Sequence, residues 1–164
     1  MPFGVTVCFM PKNILIVDDD PDLVELLCVV LTNAGYQTRS AADGAVAVRM
    51  ALQSPPDLVV LDLVLPKMNG FNVCSSLRKD PATRTVPIIM MTVLPGEFPR
   101  LIGMEMGANA YLTKPFQVEE LLALVSKLLG QNRSCRDVVD MPQRLSAKMP
   151  FMKAPTRFYQ ESGK

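Results

Sequence analysis

Short apolar runs alternate with amphipathic stretches along the first 130 residues of the chain. The runs at 14–17 and 58–61 contain aliphatic, partly β-branched residues and no charge, which is typical of buried parallel strands. Other stretches place apolar residues three and four positions apart, as Leu121, Leu122 and Val125 are, and this spacing favours a helix with one buried face. The alternation predicts a doubly wound α/β sandwich of five strands and five helices.

Caps and chain breakers give the element boundaries. Asp20 can cap the first helix with Pro21 at its first position, and Gly35 follows its end. Pro95, Gly96 and Pro99 interrupt the pattern after the fourth strand. The predicted strands cover residues 13–17, 36–41, 58–61, 86–91 and 110–113, and the predicted helices cover residues 21–33, 45–53, 71–79, 100–106 and 118–129.

Polar residues stand at the ends of four predicted strands. Asp18 and Asp19 follow the first strand, Asp62 the third, Thr92 the fourth and Lys114 the fifth. In an open parallel sheet the carboxyl ends of the strands lie at one edge, and binding sites lie just beyond that edge. These five residues are therefore expected to converge.

Their chemistry suits phosphoryl transfer. Three carboxylates at one edge repel one another unless a divalent cation holds them, and Mg²⁺ prefers such oxygen ligands. Asp62 is the best candidate for a nucleophile, because a carboxylate can attack phosphorus to give an aspartyl phosphate. Lys114 would supply a mobile cation, and Thr92 a hydroxyl donor, for phosphoryl oxygens. Two other acids are interpreted differently: Asp20 as a helix cap, and Asp57, at the opposite sheet edge, as a solvated loop acid.

Charge divides the chain into two regions. Residues 1–130 have a net charge of −3, whereas residues 131–164 have a net charge of +4. We interpret residues 12–130 as one folded domain, residues 1–11 as an N-terminal extension and residues 131–164 as a basic, disordered tail without a folded output domain.

Composition excludes several kinds of site. Histidine is absent from the sequence, which excludes imidazole metal ligands, a Ser-His-Asp triad and a phosphohistidine within it. The cysteines form no C-x-x-C pair, and their usage fits a cytoplasmic protein. The apolar first ten residues are too short to span a bilayer, and no membrane segment or clear nucleic-acid-binding pattern is expected.

Residues 12–129 resemble the receiver domain of two-component response regulators. Five segments carry the resemblance in register, and they are residues 14–20, 57–62, 66–70, 87–92 and 107–116. The spacing also fits, since 43 residues separate Asp19 from Asp62, 30 more lead to Thr92 and 22 more to Lys114. The family implies a flavodoxin-like parallel sheet in the strand order 2-1-3-4-5.

The resemblance also implies roles for individual residues. Asp62 would accept a phosphoryl group from a sensor histidine kinase or a histidine phosphotransfer protein. Asp19, Asp62 and the Val64 carbonyl would bind Mg²⁺, with Asp18 acting largely through water. Thr92 and Tyr111 would form the switch pair that reshapes a partner-binding surface on helix four, strand five and helix five. Lys114 would precede a cis peptide bond to Pro115.

The residues beside the phosphoryl position predict slow turnover. Val64 and Leu94 lie two positions after Asp62 and Thr92, and neither can orient an attacking water. We therefore expect a switch that self-dephosphorylates slowly rather than an enzyme with many turnovers.

Three alternatives remain open from the sequence. A haloacid-dehalogenase-like phosphatase also uses a strand-end aspartate, but that family needs Thr or Val where Asp22 stands. A pseudo-receiver would be a constitutive interaction domain, which a complete site argues against. A DNA-binding regulator with a lost output domain would explain the basic tail, yet residues 131–164 contain no helix-turn-helix pattern.

Overall fold

The described part of the chain forms one five-stranded sheet covered by helices on both faces. The structure is a computed structural model that describes residues 10–93 and 96–130. The proposed extension at 1–11 and the tail at 131–164 lie largely or wholly outside the described residues. The strands are β1 (Asn13–Val17), β2 (Gln37–Ala41), β3 (Leu58–Asp62), β4 (Ile88–Thr92) and β5 (Ala110–Thr113), and the helices are α1 (Pro21–Asn33), α2 (Gly44–Gln53), α3 (Gly70–Lys79), α4 (Glu97–Glu105) and α5 (Val118–Leu128).

All strand pairs are parallel, and the strand order is β2-β1-β3-β4-β5. This order confirms the predicted flavodoxin-like fold. The β1 and β3 strands are neighbours, with Val17 opposite Leu61, so the residues that follow them emerge side by side. The switch in strand order between β1 and β3 is where such sheets place their ligands.

The core consists of two aliphatic clusters, one on each face of the sheet. Successive strand residues point to opposite faces, so Leu15 and Val17 join the cluster under α2 and α3, whereas Ile14 and Ile16 join the cluster under α1 and α5. All four side chains are buried. Burial on both faces explains why the central strands have continuous apolar sequences.

Local signals explain most helix boundaries. The Asp20 carboxylate accepts hydrogen bonds from the N–H groups of Asp22 (3.0 Å) and Leu23 (3.3 Å), which confirms the predicted cap of α1. None of the described helices is long and apolar enough to cross a membrane.

Two boundaries differ from the sequence prediction by more than one residue. Helix α4 begins at Glu97 rather than near Arg100, so that Pro99 lies in its first turn. Proline is tolerated there because the N–H that it lacks would have no intrahelical acceptor. Strand β4 begins at Ile88 rather than Val86, since the Val86 N–H is bonded within a turn to the Thr83 carbonyl.

Candidate functional site

Three carboxylates meet where β1 and β3 end. Asp18 follows β1 directly, Asp19 is the next residue, and Asp62 is the last residue of β3. One oxygen from each carboxylate lies within 4.8 Å of the others. Asp18 and Asp62 are buried, whereas Asp19 is exposed to solvent. The cluster therefore has an open side from which a cation or a small anion can approach.

Lys114 connects the two buried carboxylates. Its Nζ lies 2.7 Å from Asp18 Oδ2 and 2.7 Å from Asp62 Oδ2, and its side chain is only 13% exposed. Lys114 follows β5 and precedes a cis peptide bond to Pro115, as the family resemblance implied. One ammonium group thus partly neutralises the charge that two strands bring together.

Backbone N–H groups hold the other oxygens of the same carboxylates. Asp18 Oδ1 accepts from the Asp20 N–H at 2.9 Å, and Asp62 Oδ1 accepts from the Val64 N–H at 3.1 Å. Each carboxylate is therefore fixed at both oxygens, one by Lys114 and one by the backbone. Asp62 is presented in a single orientation toward the open side of the site.

Burial and mutual attraction shift the pKa values of Asp62 and Lys114. Burial raises the pKa of Asp62 above its ordinary value, and attraction to Lys114 offsets part of that rise. Burial alone would lower the pKa of Lys114, but attraction to Asp18 and Asp62 outweighs it, so the pKa of Lys114 is raised. Lys114 therefore remains a cation at neutral pH.

Thr92 and Tyr111 lie on the next two strands of the sheet beyond β3, Thr92 at the end of β4 and Tyr111 within β5. Thr92 is the last residue of β4 and is fully buried. The Tyr111 hydroxyl is buried and has no hydrogen-bond partner of standard geometry among the described residues. Burial raises the pKa of Tyr111, and an interaction with Thr92 partly offsets that rise. The two side chains are close enough to be coupled.

Gly70 packs against the backbone of Asp62 and Leu63, a contact that the sequence did not reveal. A Cβ atom on Gly70 would lie 2.9 Å from Leu63 Cα and closer still to the Asp62 carbonyl oxygen. Its N–H donates to the Leu63 carbonyl at 2.9 Å. The start of α3 therefore packs directly on the backbone that carries Asp62, and only glycine leaves room for this contact.

Replacing Gly70 with alanine is expected to lower the free energy of unfolding by about 2 to 3 kcal/mol, because rigid backbone atoms oppose the added methyl group. Chemical denaturation of the full chain measures the free energy of unfolding of the variant and of the wild type. The Gly130→Ala variant is the control: its φ of 65° is unfavourable for alanine but no atom crowds the position, so a loss of about 1 kcal/mol is expected. Equal losses in the two variants would contradict the packing argument.

Asp57 differs from its sequence interpretation as a solvated acid. Its carboxylate accepts from Lys12 Nζ at 2.8 Å and from the Asn13 N–H at 2.8 Å, at the opposite edge of the sheet from Asp62. These contacts lower the pKa of Asp57 despite its partial burial. Asp57 joins the start of β1 to the start of β3.

The predicted site residues occupy one place in the fold. Asp18, Asp19, Asp62 and Lys114 are brought together, and Thr92 stands at the end of the adjacent strand. Val64 lies at the mouth, 39% exposed, with its N–H bonded to Asp62. Leu94 lies outside the described residues. The clustered hard oxygen donors, with only one lysine against three carboxylates, fit a divalent cation such as Mg²⁺.

The parallel sheet and this strand-end site define a class of phosphorylation-controlled receiver domains. Residues 14–126 match the family model for the response regulator receiver domain. The chain belongs to the response regulator receiver domain family, and receiver domains bind Mg²⁺ at an acidic pocket. This match decides against the phosphatase family that the sequence left open.

Curated relatives are longer proteins. The chain is 48% identical over 149 residues to the DNA-binding dual master transcriptional regulator RpaA of Synechocystis sp., covering 91% of this chain and 61% of RpaA. It is 44% identical over 123 residues to the DNA-binding response regulator MtrA of Mycolicibacterium smegmatis, covering 75% of this chain and 53% of MtrA. The chain thus spans between half and two thirds of the length of these relatives.

This chain matches solved receiver domains over almost their whole length. A response regulator structure from Chloroflexus aurantiacus is 40% identical with a TM-score of 0.71, and the match covers 74% of this chain and 99% of that one. The receiver domain of a sensor histidine kinase from Pseudomonas aeruginosa is 31% identical with a TM-score of 0.69 and the same coverage. That second crystal structure has a magnesium ion coordinated in its active site cleft.

Proposed function

We propose that the chain is a phosphorylation-activated switch in which Asp62 accepts a phosphoryl group from a phosphohistidine on a sensor histidine kinase or a histidine phosphotransfer protein. The observation that carries this proposal is the pair of 2.7 Å contacts from Lys114 to Asp18 and Asp62. Together with Asp19 they supply a nucleophile, acidic ligands and a mobile cation. The phosphohistidine lies outside residues 1–164, because this sequence contains no histidine.

The reaction forms one bond and breaks one. An Asp62 carboxylate oxygen attacks phosphorus, the phosphorus–nitrogen bond of the donor breaks, and its electron pair returns to the imidazole, which regains a proton from solvent. The backbone N–H of Val64 holds Asp62 in place during the attack. Lys114 is released from Asp62 as that oxygen forms the acyl phosphate bond, and it is then free to pair with a phosphoryl oxygen.

Asp18, Asp19 and Asp62 would hold Mg²⁺, with the Val64 carbonyl as a further ligand implied by the family. When bound, the ion neutralises charge on the carboxylates and on the incoming phosphoryl oxygens. The chain's own contribution is the fixed set of carboxylates and a lysine. As the phosphoryl group arrives, Lys114 exchanges the Asp62 carboxylate for a phosphoryl oxygen as its negatively charged partner.

The expected response is a change in protein binding rather than catalytic turnover. The switch pair, Thr92 and Tyr111, lies between Asp62 and the α4–β5–α5 surface. On that surface Leu101 is 58% exposed and Met104 is 47% exposed. Exposed apolar side chains of this size favour contact with a partner protein. We propose that the surface binds a downstream target protein when Asp62 is phosphorylated.

Beryllofluoride tests the proposal without a kinase. The full chain is mixed with beryllium and fluoride salts, with Mg²⁺ or with EDTA, and ¹⁹F NMR records the bound species. We expect bound beryllofluoride only when Mg²⁺ is present. A chain that shows no bound signal with Mg²⁺ would instead be a pseudo-receiver, and the proposed function would be wrong.

Replacing Val64 with asparagine is expected to speed self-dephosphorylation by about tenfold, because an amide at the mouth of the site can orient an attacking water. The wild-type phosphoryl group should persist for many minutes or longer. Loss of radiolabel from the isolated phosphorylated protein gives both rates. The Val64→Leu variant is the matched control and should decay like the wild type. A wild type that decays within seconds would contradict the prediction.

A further inference from the structure

Side chains of α3 bind the carboxyl end of α4. The Cys74 thiol donates to the Met106 carbonyl at 3.2 Å, and Arg78 donates to the Gly107 carbonyl from Nε at 2.9 Å and from Nη2 at 2.7 Å. Met106 is the residue that caps α4, and Gly107 follows it. A guanidinium group at this end also complements the helix dipole. The last turn of α4 is therefore capped by a neighbouring helix.

Arg78 extends this attachment to the sheet. Its Nη1 donates to the Val86 carbonyl at 2.8 Å, and its Nη2 donates to Asn109 Oδ1 at 3.0 Å. Asn109 Oδ1 in turn accepts from the Ile88 N–H at 2.9 Å, at the start of β4. One arginine thus joins α3, the start of β4, the end of α4 and the start of β5. Such a multiply bonded, partly buried group is costly to displace.

Gly107 is fitted to this arginine. Its φ is 96°, a left-handed conformation that glycine adopts without strain, and a Cβ atom there would lie 2.9 Å from Arg78 Nε. The absence of a side chain allows the guanidinium to lie against the backbone at the end of α4. The contact between Arg78 and the α4–β5 turn is therefore close and specific.

The amino end of α4 is held less firmly than the amino ends of α1, α2 and α3. Helices α1, α2 and α3 begin with Asp20, Asp43 and Asn69, whose side chains accept hydrogen bonds from the first turn. Helix α4 begins after Gly96, which has a φ of 111° and no side chain that could act as a cap. The two ends of α4 therefore differ in how firmly they are held.

Tyr111 contacts α4 close to its firmly held end. A Cβ atom on Gly103 would lie 3.4 Å from Tyr111 Cδ2 and 3.1 Å from Met90 Sδ, so the helix backbone lies directly against the ring and the β4 core. Gly103 is about one turn before Met106. A displacement of the Tyr111 ring would act on the helix near one end, and the resulting motion would be largest at the other.

We propose that Arg78 is a positioning residue that makes the carboxyl end of α4 a fixed pivot. When Thr92 and Tyr111 rearrange, the amino end of α4, which follows β4, would move. Met106 and Gly107, at the carboxyl end, would stay attached to α3. This inference rests on the proposed function for the activation step. The pivot contacts themselves are present without phosphorylation and can be tested separately.

The first test uses the unphosphorylated full chain. In Arg78→Met, hydrogen exchange at residues 104–107 is expected to rise by about tenfold, and iodoacetamide labelling of Cys74 should rise with it, because the capping groups are lost. Arg78→Lys, which keeps a charge but not the fork of donors, should give an intermediate increase. Arg49→Met, on the exposed surface of α2, is the matched control and should change neither rate. Unchanged rates in Arg78→Met would overturn the pivot.

The second test follows activation. Beryllofluoride is added to the wild-type chain with Mg²⁺, and peptide mass spectrometry reads Cys74 labelling and hydrogen exchange across α4. We expect a change of about tenfold in hydrogen exchange at residues 100–102, whose N–H groups are the first to bond within α4, and less than about twofold in Cys74 labelling. A tenfold increase in Cys74 labelling would overturn the pivot, because the whole helix would then leave α3. Failure to bind beryllofluoride would instead overturn the proposed function, while the first test still decides the pivot.

Discussion

The Asp62→Asn variant is expected to incorporate phosphoryl groups from acetyl phosphate at least about 10⁴-fold more slowly than the wild type, a loss typical of removing a nucleophile. An amide oxygen has no negative charge with which to attack phosphorus. Radiolabelled acetyl phosphate, with Mg²⁺ at saturating concentration, measures the two rates.

The control for this variant is Asp57→Asn. Asp57 is also a partly buried aspartate paired with a lysine, but it lies at the other edge of the sheet. The Asp57→Asn variant should be labelled on Asp62 at the wild-type rate. Labelling of Asp62→Asn at a rate near that of the wild type would place the phosphoacceptor elsewhere.

Replacing Lys114 with methionine is expected to slow phosphorylation by about 10²- to 10³-fold, comparable to losing one donor to a developing oxyanion. Methionine keeps most of the side-chain volume but removes the charge that lies 2.7 Å from both Asp18 and Asp62. Two effects oppose each other in this variant. Loss of the lysine should strengthen cation binding at the carboxylates, yet it removes the cation that pairs with the arriving phosphoryl oxygen.

Saturating Mg²⁺ separates these two effects of Lys114→Met. The variant should bind Mg²⁺ at least as tightly as the wild type and still be phosphorylated slowly. Lys12→Met removes a lysine that also lies 2.8 Å from an aspartate, at the opposite edge, and should leave the rate unchanged. If Lys114→Met were phosphorylated at the wild-type rate, Lys114 would have only a structural role.

The fold was largely predictable because the polar and apolar residues mark the elements sharply. Strands β1 and β5 have the predicted bounds, and the order of elements is as predicted. The start of α4 was misplaced because Gly96 and Pro99 both indicate a chain break, whereas only the glycine stands outside the helix. Proline in a first turn carries the same sequence signal as proline in a loop.

The residue types of the site could be predicted, but their shared contacts could not. Strand ends determine that Asp18, Asp62 and Lys114 are near one another. That a single Nζ contacts both carboxylates depends on side-chain geometry, which residue spacing does not contain. The pairing of Lys12 with Asp57 was missed for a similar reason. It joins residues 45 positions apart, and it depends on the register of β1 against β3.

The contacts that Cys74 and Arg78 make with α4 could not be predicted from the sequence either. Cys74 lies on α3 and is fully buried in the core. Its thiol also donates to the Met106 carbonyl, 32 positions away. Such contacts arise from how two helices pack, and no local pattern in either helix predicts them.

The most direct test of the account is the intact mass of the full wild-type chain after incubation with acetyl phosphate, with Mg²⁺ or with EDTA. We predict the addition of one phosphoryl group with Mg²⁺, mapped to the peptide that contains Asp62, and no addition with EDTA. An unmodified chain in the presence of Mg²⁺, or a phosphoryl group on a peptide that lacks Asp62, would contradict it.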